Sequence, residues 1–127
     1  MKTILVDAMG TFVIEDKGIY EPMYTLLETY PNRKIILTMA PDDLMEKWGL
    51  NNMPYEVFTS RLDLKKTDPN YYHQMLKHFD LKTEEVIYFE HNKEAVKTAQ
   101  SIGILSYHYD DEKRDMEQLK KFLDENL

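Results

Sequence analysis

Short apolar runs recur along the chain at Ile4–Val6, Lys34–Thr38, Glu56–Thr59, Val86–Phe89 and Ile104–Tyr107, with stretches of helical period between them. Apolar runs of this kind suit strands buried on both faces, and intervening helices make the sheet parallel. The expected fold is α/β: a Rossmann-like three-layer sandwich, with a parallel sheet of about five strands and helices on both faces.

The helical segments carry their own stop and start signals. Asp68-Pro69 sets an N-cap ahead of a first-turn proline, and Tyr72, Met75, Leu76 and Phe79 follow at i, i+3, i+4 and i+7. Pro41, Asp42 and Asp43 open a second helix with Leu44, Met45 and Trp48, and Gly49 sits where a left-handed stop is wanted. A third runs from about Asn92, places Ala95, Val96, Ala99 and Ile102 on one face, and closes at Gly103. Two more are expected at 21–30 and near 113–123, the last presenting Met116, Leu119, Phe122 and Leu123 to an outer face of the sheet. Nothing marks a linker or a repeat, and 127 residues suit one domain over 1–127.

Composition narrows the partners. Sixteen Lys and Arg against 23 Asp and Glu give a net charge of −7, which speaks against a surface built to neutralise phosphates of nucleic acid. The chain has no cysteine, hence no disulfide or thiolate metal site, which fits a cytoplasmic protein. The apolar stretch at Ile4–Val6 ends at Asp7, too short for a signal peptide, and no later run is long enough for a membrane span.

Ligands of an open parallel sheet bind beyond the carboxyl ends of its strands. Asp7, Thr38, Glu90 and His91 stand at such ends, and Lys65 and Lys66 precede the Asp68 helix. A carboxylate nucleophile, a hydroxyl, a cation and a second acid are the parts needed to attack a phosphoryl group and hold its oxygens. Singly, each has a plainer explanation: a threonine at a strand end bonds its own turn, and lysines before a helix are solvated.

Taken in order, four segments resemble the motifs of the haloacid dehalogenase superfamily, the aspartate-nucleophile phosphatases and their relatives. Ile4-Leu5-Val6-Asp7-Ala8-Met9-Gly10-Thr11 is similar to the strand followed by Asp-x-Asp-Gly-Thr, and Ile35-Ile36-Leu37-Thr38 to the segment whose Thr or Ser binds phosphate. Lys66-Thr67-Asp68-Pro69 with Tyr71-Tyr72 resembles the lysine motif, and Val86-Ile87-Tyr88-Phe89-Glu90-His91-Asn92 the acidic fourth motif. The resemblance implies Asp7 and Lys66 as the catalytic pair, and Thr38, Met9, Gly10, Thr11 and Asn92 as the substrate-binding set. It implies a Mg²⁺ site at Asp7, the Met9 carbonyl and Glu90, with His91 at the fourth metal position.

Two departures fall within those motifs. Met9 stands where the phosphatases carry the aspartate that protonates the leaving group and later activates water, and a thioether transfers no proton. That function is worth about 10²–10⁴-fold in rate. His91 replaces a metal-binding aspartate, and imidazole is a poor ligand for Mg²⁺, so metal affinity is expected to be weakened; a borderline ion such as Zn²⁺ or Mn²⁺ is the alternative. Asp7-Ala8-Met9-Gly10-Thr11 is also similar to the Asp-Ala-Tyr-Gly-Thr of the metal-free dehalogenases, but residues 8–37 leave room only for a short flap, such as Phe12–Tyr20, and one helix. Residues 39–65 leave no room for a cap either. An uncovered site suits a phosphoprotein as well as a phosphorylated small molecule, or a homo-oligomer whose neighbour covers it. Three readings result: a phosphatase-type hydrolase with weak or lost activity, a non-catalytic phosphate-binding or protein-interaction module, and a metal-independent dehalogenase-like hydrolase.

Overall fold

A computed structural model describes residues 1–60 and 63–127. Five parallel strands, β1 (Thr3–Asp7), β4 (Lys34–Thr38), β5 (Glu56–Thr59), β6 (Val86–Glu90) and β7 (Leu105–His108), form one sheet in the order β5-β4-β1-β6-β7. The three central strands are buried at every position, as their unbroken apolar runs require of a sheet covered on both faces.

Strand periodicity divides the core in two. Ile4, Val6, Ile36, Ile87 and Phe89 face Met23 and Leu27 of α1 (Glu21–Glu28) and Leu119 and Leu123 of α5 (Met116–Asn126). Leu5, Ile35, Leu37 and Tyr88 face Tyr71, Tyr72, Met75 and Leu76 of α3 (Pro69–Phe79) and Ala99 of α4 (Lys93–Ser101). The short α2 (Asp42–Lys47) sends Met45 into the first core, while Leu44 stays 37 % exposed.

The expected caps form. The Asp68 side chain accepts from the Asn70 N–H at 2.9 Å with Pro69 in the first turn, and Gly49 is left-handed at φ +80°. Several boundaries move by a residue or more: β1 spans Thr3–Asp7, β7 is shifted to Leu105–His108 and α1 stops at Glu28. β6 extends to Glu90, and α5 starts at Met116 instead of near 113, because Arg114 is left-handed (φ +50°) and Asp115 caps the Gln118 N–H at 3.0 Å.

After β1 the chain forms an antiparallel hairpin of β2 (Val13–Ile14) and β3 (Gly18–Ile19), the flap expected at 12–20. Its base is anchored by Phe12 and Val13, both fully buried. Tyr24 stacks on Tyr55 with ring centroids 5.6 Å apart and packs on the first core with Tyr20, so these tyrosines serve the core. Among the described residues no cap domain is present, and no helix is long and apolar enough to cross a membrane.

Candidate active site

The parallel register brings Asp7, Thr38 and Glu90, the last residues of β1, β4 and β6, side by side at the carboxyl edge of the sheet. Lys66 enters from the loop before α3. Together with Met9, Met39 and His91 they line a cavity of about 390 Å³.

Charge is concentrated on its floor. Lys66 Nζ lies 2.5 Å from Asp7 Oδ1 and 3.0 Å from Glu90 Oε1, and the three side chains are 6, 3 and 1 % exposed. One ammonium cannot neutralise two buried carboxylates. The second cation is His91, whose Nδ1 bonds Asp7 Oδ2 and lies 3.1 Å from Glu90 Oε2. Thr11 Oγ1 also donates to Asp7 Oδ2, at 2.8 Å. Burial pushes the Asp7 carboxyl above its ordinary value, with Lys66 and then His91 pulling against it, and Lys66, Thr11 and His91 all bond its two oxygens. Burial would also raise Glu90, but Lys66, then His91, outweigh it and hold this carboxyl far below the usual range. Lys66 is held up in turn, against burial, by Asp7 and Glu90.

The hydrogen bond to Asp7, then that to Glu90, raises the His91 imidazole to about 10, against the desolvation that would lower it. Its folded value thus stands above an unfolded value of about 6.5. The stabilisation it supplies is complete below about pH 6.5 and is lost as pH rises through about 10. Chemical denaturation of the wild type and His91→Gln should therefore give a stability difference that shrinks toward pH 10; a level difference would mean that His91 is not held as a cation.

The other residues expected in the substrate-binding set divide. Thr38 Oγ1 accepts from the Ala40 N–H at 2.9 Å, leaving its hydroxyl proton for a ligand, and Met9 is half-buried in the cavity wall. Gly10 and Thr11 lie outside the lining: the Gly10 N–H donates to Val13 O at 2.8 Å and the Thr11 N–H to Ala8 O at 3.1 Å, so both backbones are engaged in the turn. Gly10 is left-handed (φ +88°), and a Cβ there would come within 3.1 Å of the His91 ring; glycine is what lets the imidazole lie over this turn. Asn92 reaches the cavity, but its Oδ1 caps α4, accepting from the N–H groups of Glu94 and Ala95 at 2.9 and 3.2 Å.

Several residues fix the site through bonds that the sequence does not announce. Tyr88 OH donates to Glu90 Oε1 at 2.5 Å and the Asn92 N–H to Glu90 Oε2 at 3.0 Å. Tyr71 OH donates to the Thr38 carbonyl at 2.7 Å. His108 Nε2 lies 2.9 Å from the His91 carbonyl, and Met39 Sδ accepts from the Lys66 N–H at 3.3 Å.

Asp7, Glu90 and His91 also form a group whose potential ligand atoms lie within 4.8 Å of one another. Mg²⁺ asks for octahedral oxygen ligands. Here one member is a nitrogen, and it is bonded to the two carboxylates that a hard cation would need. The site in this state does not fit Mg²⁺; a borderline metal would first require Nδ1 to lose its proton.

No protein-family model and no curated protein matches the sequence. Solved structures do. A HAD family enzyme from Bacteroides thetaiotaomicron superposes with a TM-score of 0.74 at 14 % identity, over 94 % of this chain and 98 % of that one. The fold is that of the haloacid dehalogenase (HAD) superfamily. A predicted HAD-like family hydrolase from Porphyromonas gingivalis shares this HAD-like fold, with a TM-score of 0.73, 12 % identity, and coverage of 97 % and 98 %. The Bacteroides enzyme is also known in complex with magnesium and inorganic phosphate, a form that matches with a TM-score of 0.68 at 13 % identity over 85 % and 93 %.

Proposed function

We propose that the chain is a phosphatase-type hydrolase of the HAD-like fold, impaired in proton transfer, with Asp7 as nucleophile. The observation that carries this reading is the Asp7 carboxylate on the cavity floor, with Lys66 Nζ at 2.5 Å and the Thr38 hydroxyl on the adjoining strand end. An Asp7 oxygen attacks phosphorus, while Lys66 and Thr38 hold the phosphoryl oxygens. Magnesium binds more weakly than in a site with aspartate at the place of His91, whose Nδ1–H already supplies positive charge to Asp7 and Glu90. The substrate is a phosphorylated small molecule or a phosphoprotein, admitted through the uncapped edge of the sheet.

Met9 disfavours alkyl esters, whose alkoxide must be protonated as it leaves, more than aryl phosphates, whose phenolate leaves without help, and slows the later activation of water for both. Slow hydrolysis of p-nitrophenyl phosphate is the expected result, little changed by EDTA and lost in Asp7→Asn. Activity that survives Asp7→Asn would overturn this reading. Met9 and the closed Asp7–Lys66–Glu90–His91 ion cluster favour a second one, a phosphate-binding module; titration with inorganic phosphate that shows binding without any turnover would select it.

A further inference from the structure

The Lys66 ammonium is fixed by carboxylates, but its main chain is tied to sulfur. The Lys66 N–H donates to Met39 Sδ at 3.3 Å, a bond across 27 residues that joins the segment after β4 to the loop before α3. A thioether is a weak acceptor, and unlike a carbonyl or a hydroxyl it is open to oxidation. Met39 directly follows Thr38, so one side chain links the two segments that bear the Thr38 hydroxyl and the Lys66 ammonium. It is also 55 % exposed and lines the cavity, whereas Met23, Met45 and Met75 are buried. The sulfurs of Met53 and Met116 accept from the Tyr55 N–H and the Tyr109 hydroxyl, but neither residue lines the cavity.

Resting on Thr38 and Lys66 as the groups that hold the phosphoryl oxygens, we propose that Met39 is a peroxide-sensitive modification site, whose oxidation to the sulfoxide releases the Lys66 loop and lowers activity. An electron pair on Sδ attacks one oxygen of hydrogen peroxide. The sulfur–oxygen bond forms, the oxygen–oxygen bond breaks, and the second oxygen leaves with that bond's electron pair, taking the proton of the first to depart as water. Sulfur is oxidised by two electrons and the peroxide is reduced by two. The sulfur that results carries positive charge and no longer accepts the Lys66 N–H. Its oxygen, a stronger acceptor one bond further out, is drawn to water and to the Lys65 ammonium that lines the same cavity. If the Lys66 N–H follows that oxygen the loop moves, and if it does not, a polar group of a residue only 5 % exposed is left without a partner. Either change disturbs the ammonium that lies 2.5 Å from Asp7 and 3.0 Å from Glu90. Reduction of the sulfoxide restores the thioether, so the switch is reversible.

The test is treatment with dilute hydrogen peroxide, with the eight methionines mapped by peptide mass while kcat/KM for p-nitrophenyl phosphate and the urea midpoint are followed. Met39 should oxidise together with Met1, which is 92 % exposed, and well before Met23 and Met75. As its sulfoxide accumulates, kcat/KM should fall by about 10–10²-fold, the cost of misplacing a holding group by up to about an ångström. The urea midpoint should fall with it, and methionine sulfoxide reductases should restore both. In Met39→Leu peroxide should change neither quantity from its starting value, whereas Met9→Leu should stay sensitive. Oxidation of Met39 no faster than that of Met23 and Met75, an unchanged midpoint and kcat/KM once Met39 is oxidised, or a loss that tracks Met9 would each overturn the proposal. Absence of turnover before any peroxide is added would remove the hydrolase reading alone, since the mapping and the urea midpoint still decide whether oxidation at Met39 loosens the loop.

Discussion

In Met9→Asp, hydrolysis of an alkyl phosphate is expected to rise by about 10²–10⁴-fold. Position 9 lies two residues beyond the nucleophile on a turn held by the Gly10 N–H to Val13 O bond, and its side chain lines the same cavity as Asp7. A carboxyl placed there joins Asp7 and Glu90, and the like charges raise its pKa toward the range in which a carboxylic acid donates a proton near neutrality. The gain should depend on the leaving group: large for an alkyl ester, small for p-nitrophenyl phosphate, whose departing anion needs no proton. Measured kcat/KM for both esters decides the matter, and an equal change, or none, would mean that position 9 does not face the leaving oxygen. Adding His91→Asp should bring a dependence on Mg²⁺, since it replaces the ring on the two carboxylates with an oxygen ligand.

Lys66→Met is expected to lower the free energy of unfolding by about 3–5 kcal/mol at neutral pH, because it strands buried charge. The ammonium is the partner of two carboxylates that are almost wholly excluded from solvent, and methionine fills its volume without its charge. As pH falls, protonation of a stranded carboxyl removes the uncompensated charge, so the deficit should shrink between pH 7 and 5. Urea denaturation at both pH values provides the measurement, with exposed Lys65→Met as control, for which the change should stay within about 0.5 kcal/mol. A loss below about 1 kcal/mol for Lys66→Met would place it among surface ion pairs and refute the buried charge balance.

The architecture was legible because its signals are local: the apolar runs of β1, β4 and β6, the Asp68-Pro69 cap and the stop at Gly49 each depend on neighbours in sequence. Even the local reading faltered at Lys113–Asp115, where an Arg114 in the left-handed region delays α5, a conformation that no arginine advertises. The strand-end residues Asp7, Thr38 and Glu90 were legible from their motif positions. Their supports were not, since those depend on which strand lies beside which. His108 is opposite Glu90 only through the β6–β7 register, and Tyr88 reaches Glu90 because both project to the same side of one strand. The imidazole was read from sequence as a poor metal ligand; that it bridges two carboxylates follows from the approach of the Gly10 turn to the end of β6.

The buried ion cluster has a consequence for descent. Asp7, Lys66 and Glu90 form a buried ion cluster that the His91 imidazole completes, so loss of the lysine threatens folding before it threatens chemistry. A lineage that abandoned every reaction would still be held to these residues by purifying selection on stability. Residue 9, half-buried at the cavity surface and outside the ion cluster, is freer to drift. Among relatives of this chain, persistence of the nucleophile is therefore poor testimony to activity, and it is position 9 that records whether a lineage still makes its living by turnover.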